Sequence, residues 1–259
     1  MRDRRDSVQS LERAFDLLEA LSAGGELGVT ELANRTGLVP STAHRLLHTL
    51  AMRGYVSQSA DSGRYLLGYK VVEVASGLEH RLERLRVVAR PHLERIQRAT
   101  GETVNLVVLD ADRVVYVDQV EGSRSVRMFT TVGTSVPAHT TGSGKAIMAA
   151  GPQETVAALY GDREPLERLT DHTLVTLEAL EQDFVRIRRR GYAIDNEEHE
   201  EGVACVATAV FDHTGRPVAA ISVSGPTARI LHAKAADLGS LLAEHAAKVS
   251  AALGHDAAA

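Results

Sequence analysis

Four stretches in the second half of the chain carry residue types that do chemistry. The first, TTGSGKA at 140–146, has the texture of a nucleotide loop but fails on spacing. A phosphate loop needs Gly five residues before its Gly-Lys pair and Ser or Thr after it; those places hold His139 and Ala146. A dinucleotide fingerprint fails as well, because Ile147 stands where its third Gly belongs. What remains is a turn of small residues entering a helix, which reads either as an anion site of free N–H groups or as tight packing. The second stretch, GVACVATAVFD, places Val203, Cys205, Ala207 and Ala209 on one strand face by period-two alternation. A lone thiol among small apolar residues is inert core, or else a nucleophile with His199 as its base. No activating cation is at hand, and the neighbouring acidic run should raise the thiol pKa. The third stretch, DNEEHEEG, reads as a solvated loop from Glu197 to Glu201, with Asp195 set apart by closing the preceding strand. In the fourth, AAISVSG, Ser222 and Ser224 lie two apart and so share a sheet face. A bound polar ligand or a neighbouring carbonyl must satisfy them.

These stretches need elements to hold them. From Gly101 onward β-rich runs (TVNLVVLD, VVYVDQV, SVRMF) alternate with polar turns, and helical patterns follow near Lys145–Ala150, Gln153–Tyr160 and Leu177–Arg190. Then come YAIDN, GVACVATAVFD, an Asp212–Gly215 turn, PVAAISVSG, and a last amphipathic helix over about Ile230–Leu253 before an Ala-rich tail. Strands and helices in separate blocks predict an α+β domain over 91–254, with helices packed on an antiparallel sheet.

The first seventy residues read differently. Ala14, Leu17, Leu18 and Leu21 recur at helical spacing after Ser10, and Gly24-Gly25 ends the run. Thr30 is an N-cap candidate for a short helix, TELANRT, closed by Gly37. PSTAHRLLHTLAMRG follows at once, with Ala43, Leu46, Leu47 and Leu50 as the buried stripe. Ser41, His44, Arg45 and His48 fall on its opposite face, beside Thr42. Two helices joined by a short Gly-containing turn, then a YVSQSADSGRYLLG hairpin, predict a winged helix-turn-helix over 1–70 that binds double-stranded DNA. Hydroxyls near a reading helix's N-terminus reach phosphates or base edges, Arg45 can grip a guanine, and Arg64 on the wing is placed to meet phosphate. The other reading of this face is a solvated helix on a packing module. A charged helix over 71–90 predicts a spacer or a dimerisation seam, with Pro91 opening a fresh helix.

Composition narrows the classes. The net charge of −5 excludes a uniformly basic nucleic-acid binder, but it is unevenly spread. Residues 1–70 hold nine Lys/Arg against eight acids (+1), and the remainder holds twenty against twenty-six (−6). One cysteine excludes an internal disulfide and a cysteine-rich zinc site. Paired His at ligand spacing occurs on a helix only at His44 and His48, which face outward, and no cofactor motif survives its spacing test. The charged opening MRDRRDSVQS lacks an apolar core and no 18-residue apolar run exists, so neither a secretory signal nor a membrane span is expected. The expectation is a cytoplasmic protein and not an enzyme; a ligand-gated scaffold without DNA activity is the remaining rival.

In order along the chain, SVQSLERAFDLLEAL, ELANRTGLVPSTAHRLLHTLAMRGYV, GRYLLG, PAHTTGSGKAIMA, RRRGYAIDNEEHEEGVACVATAVFD and PVAAISVSGP resemble the IclR family of bacterial transcription regulators over nearly the whole length. The resemblance implies a winged helix-turn-helix, a linker helix and a GAF/PAS-like effector domain. It implies a homodimer or homotetramer that senses a small organic acid and acts as a repressor. From GYAIDNEEH to ISVSGP the chain is most similar to family members that repress an allantoin regulon and bind glyoxylate. That likeness assigns a small carboxylate metabolite to Gly142, Ser143, Asp195, Cys205, Ser222 and Ser224. Ser143 stands where those members have a smaller residue. An aspartate facing a carboxylate suits accepting from a ligand hydroxyl, or being protonated.

Overall fold

The computed structural model describes residues 8–161, 163–231 and 235–256, with backbone alone at 80, 81 and 153–155. The opening residues 1–7 and the end of the Ala-rich tail therefore lie outside the described residues. The chain divides into two compact units, 1–81 and 82–259.

In the first unit, helices α1 (Gln9–Gly24), α2 (Val29–Arg35) and α3 (Pro40–Met52) precede strands β1 (Val56–Gln58) and β2 (Tyr65–Leu67). The strands pair antiparallel, and Leu27 adds a bridge to Tyr65. Leu17 and Leu21, Leu32 and Ala33, Ala43 and Leu47, Val56 and Tyr65 close one core, so each element buries the stripe its period presents. The N-cap of α2 is Gly28 and not Thr30. The Leu27 bridge already holds the chain extended there, and the N-cap falls two residues earlier. Pro40 opens α3, where its missing N–H is no loss. The wing returns through Gly68, whose Cβ, were there one, would lie 2.1 Å from the Gly54 carbonyl oxygen. Only glycine allows that approach.

Helix α4 runs unbroken from Lys70 to Thr100 with Pro91 inside it, which corrects the expectation of a fresh helix at that proline. Leu85, Ala89, Leu93 and Ile96 form a buried stripe through this stretch, while Pro91 and Val87 are exposed. Water can take the Val87 carbonyl that the proline leaves without a donor, and packing outweighs the lost bond.

The second unit is built on a six-stranded antiparallel sheet ordered β5-β4-β3-β8-β7-β6. Its strands are β3 (Thr103–Asp110), β4 (Arg113–Val120), β5 (Ser135–Pro137), β6 (Ala193–Asn196), β7 (Val203–Phe211) and β8 (Pro217–Pro226). One face packs on the end of α4 and on α9 (Ala235–Ala252) through Leu93, Ile96, Val206, Ile221, Leu242 and Val249. The other face is covered by α5 (Gly142–Ala150), α6 (Gln153–Tyr160) and α7 (Leu177–Arg190). This is the expected α+β arrangement. Two elements differ from expectation. SVRMF forms no strand, and residues 121–134 cross the sheet without regular structure. The last helical region is two pieces, α8 (Thr227–Ile230) and α9, on either side of residues 232–234, which lie outside the described residues.

Candidate functional site

Strand pairing assembles the predicted site. Asp195 on β6 stands opposite Cys205 on β7, Cys205 opposite Ser224 on β8, and Ala207 opposite Ser222. Asp195, Cys205, Ser222 and Ser224 therefore line up across three strands on one buried face. Both serine hydroxyls reach the Cys205 sulfur. The start of α5 lies directly above: a Cβ on Gly142 would sit 3.2 Å from Cys205 Sγ and 3.3 Å from the Asp195 nitrogen. Glycine there lets the helix terminus seat on the sheet. Of the first-turn amides, that of Gly144 donates to the N-capping Thr141 hydroxyl at 3.0 Å. The N–H groups of Gly142 and Ser143 have no helical acceptor, by first-turn geometry. The small-residue turn is closely packed, and it carries a buried pair of donors with no helical acceptor.

Burial governs the electrostatics here. Loss of water drives the Asp195 carboxyl up to about 7, and the Glu198 charge adds to it. The Glu198 N–H donates to Asp195 Oδ1 at 2.8 Å and opposes the rise. The same desolvation, reinforced by Asp195, pushes the Cys205 thiol up to about 12. Burial also raises the Tyr116 phenol, which faces Cys205 and Asp195 from β4.

The acidic run is not the solvated loop its composition suggests. Glu198 is buried, and both its oxygens accept from Lys145 Nζ at 2.6 and 2.7 Å. Lys145, itself fully buried, also donates to Asp183 Oδ2 on α7 at 2.9 Å. A triad of charges thus pins α5, α7 and the β6–β7 connection together, which is the use of a lysine that first suggested a phosphate loop. Sequence reasoning missed this triad, and it missed Asn105, a buried amide between Val104 and Leu106 on the same sheet face as Ser222. A polar residue inside TVNLVVLD was the available signal.

The nucleophile reading of Cys205 finds no machinery. Its thiol is held protonated, and the Nδ1 of His199 lies 3.0 Å from Thr140 Oγ1. Burial lowers the His199 pKa. Among the described residues no contact joins His199 to Cys205.

In the first unit, Ser41, His44, Arg45 and His48 are exposed along α3 and Thr42 is half-buried, opposite the buried Ala43 and Leu47. The Arg45 guanidinium has no hydrogen bond or ion pair among the described residues. Arg64 differs. It donates to Glu31 Oε2 at 2.7 Å and to the Glu26 carbonyl at 3.1 Å, tying the wing to α2, while its side chain stays 43% exposed. No helix among the described residues is long and apolar enough to cross a membrane.

Comparison with known proteins follows the same division. Residues 10–60 match the IclR helix-turn-helix domain, and residues 80–251 match the C-terminal domain of bacterial IclR transcriptional regulators. The transcriptional repressor IclR of Escherichia coli is 37% identical over 250 residues, 95% of this chain and 90% of that one. The crystal structure of Thermotoga maritima IclR superposes with a TM-score of 0.75 at 35% identity, covering 95% of this chain and 99% of that one. An IclR homolog from Microbacterium hydrocarbonoxydans, solved as a complex with 4-hydroxybenzoate, gives 0.76 at 26% identity, with 94% and 98% covered. With a helix-turn-helix, a wing and an α+β domain in order, and both family domains matched in turn, the chain belongs to the IclR family and is a DNA-binding bacterial transcriptional regulator.

Proposed function

We propose that this protein is a repressor whose hold on its operator is set by a small carboxylate bound between the start of α5 and strands β6, β7 and β8. One observation carries the reading: two helix-start N–H groups, two serine hydroxyls, a thiol and a carboxyl of raised pKa converge on one buried patch. Helix N-termini favour anions, and serine hydroxyls donate to them. In this reading Gly142 and Ser143 hold the carboxylate, Ser222 and Ser224 donate, Cys205 packs against the ligand, and Asp195 accepts from a ligand hydroxyl or pairs as the neutral acid. The bound 4-hydroxybenzoate of the Microbacterium homolog supports an acid as the class. Binding shifts the equilibrium between two states by the ratio of the ligand's affinities for them, and the states differ in grip on DNA. No group in the patch is poised as a nucleophile, which supports a sensor and not an enzyme.

On DNA, Arg45 reads a base edge while Ser41, Thr42, His44 and His48 contact phosphate or neighbouring bases. Arg64 braces the wing through Glu31, with its exposed edge left for phosphate. The work is done in the cytoplasm, where the operator is. Two half-sites call for at least a homodimer. Val8, Leu11 and Phe15 recur at helical spacing on the outer side of α1, each more than half exposed, which supports that helix as a self-association face.

Calorimetry with 2-oxo, hydroxy and aromatic acids tests the pocket. An acid that binds the wild type should lose at least about tenfold in affinity in a Ser222→Ala, Ser224→Ala double variant, from two charge-assisted bonds. Unchanged binding in that variant would show that the pocket is elsewhere.

A further inference from the structure

Tyr116 brings a polar group to the face of the sheet that bears the patch. It stands on β4 opposite Val107, and Val107 stands opposite Ala220 on β8, so Tyr116 shares the face of Ser222 and Cys205. It packs against the core that holds Val107, Cys205, Ala207 and Ala220. On β8 and β7 the side chains that lie between it and Cys205 are small (Ala220, Ser222, Ala207), so a long side chain can lean over them.

A β-bulge gives Tyr116 this place. The β3–β4 register shifts between Leu106 and Val107: Leu106 pairs with Asp118, Val107 with Tyr116, and Val117 is left without an opposite residue. Tyr116 and Gln119 are three apart, yet they stand opposite Val107 and Asn105, which share one face. In a regular strand that spacing would send them to opposite faces. The Tyr116 hydroxyl has no hydrogen-bond partner among the described residues, whereas that of Tyr160 donates to Met148 Sδ at 3.7 Å. The ionisable groups near enough to act on the Tyr116 phenol are Cys205 and Asp195. Burial raises its pKa, so it stays a hydroxyl at neutral pH.

We infer that Tyr116 is a ligand-contacting residue that sets specificity: its hydroxyl donates to a second oxygen of the bound acid, so the pocket favours hydroxy and oxo acids over plain ones. It rests on the carboxylate reading of the pocket, in which the acid's charged end takes the α5 amides and the serine hydroxyls. The remaining oxygen is then left to Asp195 and Tyr116. A ligand hydroxyl has one proton and two lone pairs, so it can donate to Asp195 and accept from Tyr116 at once. An oxo oxygen accepts from the phenol. A plain acid leaves the phenol unpaired, which costs affinity relative to an acid that pairs it.

Calorimetry on wild type and Tyr116→Phe tests this with two pairs that differ in one hydroxyl, lactate against propionate and 4-hydroxybenzoate against benzoate. Tyr116→Phe should weaken the hydroxylated member roughly threefold to tenfold and leave the plain member unchanged. An affinity ratio that the variant leaves at its wild-type value, whether both members weaken or neither does, overturns the inference. The chain has no tryptophan, so tyrosine dominates its near-ultraviolet absorption. Lactate should perturb that band in wild type and not in Tyr116→Phe; a perturbation of equal size in the variant also overturns the inference. The Ser222→Ala, Ser224→Ala variant separates the two readings. Acids that lose affinity in it while ignoring Tyr116→Phe sink only the role of Tyr116. Acids that bind it as they bind wild type sink the pocket, and if no acid binds wild type both readings fail.

Discussion

Arg45 and Asp195 show two ways in which one side chain is committed to a task. Arg45 is exposed with no partner among the described residues, so its five donors are available to a base edge. Arg45→Ala should cost on the order of 1–3 kcal/mol of operator binding, about a tenfold to hundredfold loss. It should leave the circular-dichroism spectrum and acid binding unchanged; a wild-type footprint from this variant would remove α3 from the reading role. Asp195 is committed by burial. Its carboxyl sits at about 7 against the ordinary 3.8, so the folded chain keeps a proton that the unfolded chain releases. Its contribution to stability is present at low pH and is lost as pH rises toward 7, because the folded state binds more protons over that range. Asn at this position retains an oxygen for the Glu198 N–H. Urea unfolding at pH 5 and pH 8 should therefore show Asp195→Asn gaining on wild type at the higher pH, and a constant difference between the two pH values would contradict the assignment. The residue scale is also where the sequence was most legible. Ser222, Ser224, Asp195 and Cys205 stand out as polar or reactive types in apolar strands, and alternation alone puts each on a definite face.

At the scale of elements, the buried Lys145 triad joins parts that share no local sequence signal. Asp183 and Glu198 follow Lys145 by 38 and 53 residues, beyond any helical or strand period. Removing one partner from such a set strands the others in low dielectric. Lys145→Met should destabilise the second unit by roughly 3–5 kcal/mol in urea or thermal unfolding. Adding Asp183→Asn and Glu198→Gln should recover a large part of that loss. If the single variant is no less stable than wild type, the triad does not anchor α5. The continuity of α4 through Pro91 was equally illegible. Local rules read a proline as a boundary, and they cannot weigh one lost hydrogen bond against a stripe of buried leucine, alanine and isoleucine that continues on both sides.

The whole molecule divides into two units with separate cores, one carrying the helix-turn-helix and one bearing the polar patch. Self-association through α1 makes a direct prediction. Leu11 and Phe15, each 53% exposed, are cheap to change in a folded monomer and costly in a buried seam. A Leu11→Asp, Phe15→Asp double variant should sediment at lower mass and bind a two-half-site operator more weakly, with a shallower salt dependence. Wild-type mass for that variant would place the interface on another surface.

The sequence by itself determined most of the elements of this protein and the face their residues take, because periods of 3.6 and 2 are written in local order and burial follows them. It carried the helix-turn-helix, the wing, the exposed polar face of α3 and the short set of polar strand positions. Tertiary structure alone decided which of those positions meet. Cross-strand register put Asp195, Cys205 and Ser224 in one row, a missing Cβ at Gly142 let α5 close over them, and long-range pairing gave Lys145 its carboxylates and Ser224 its neighbour in Asn105. Register, close approach and desolvation are relations between distant segments, and they take their values only when the chain has packed.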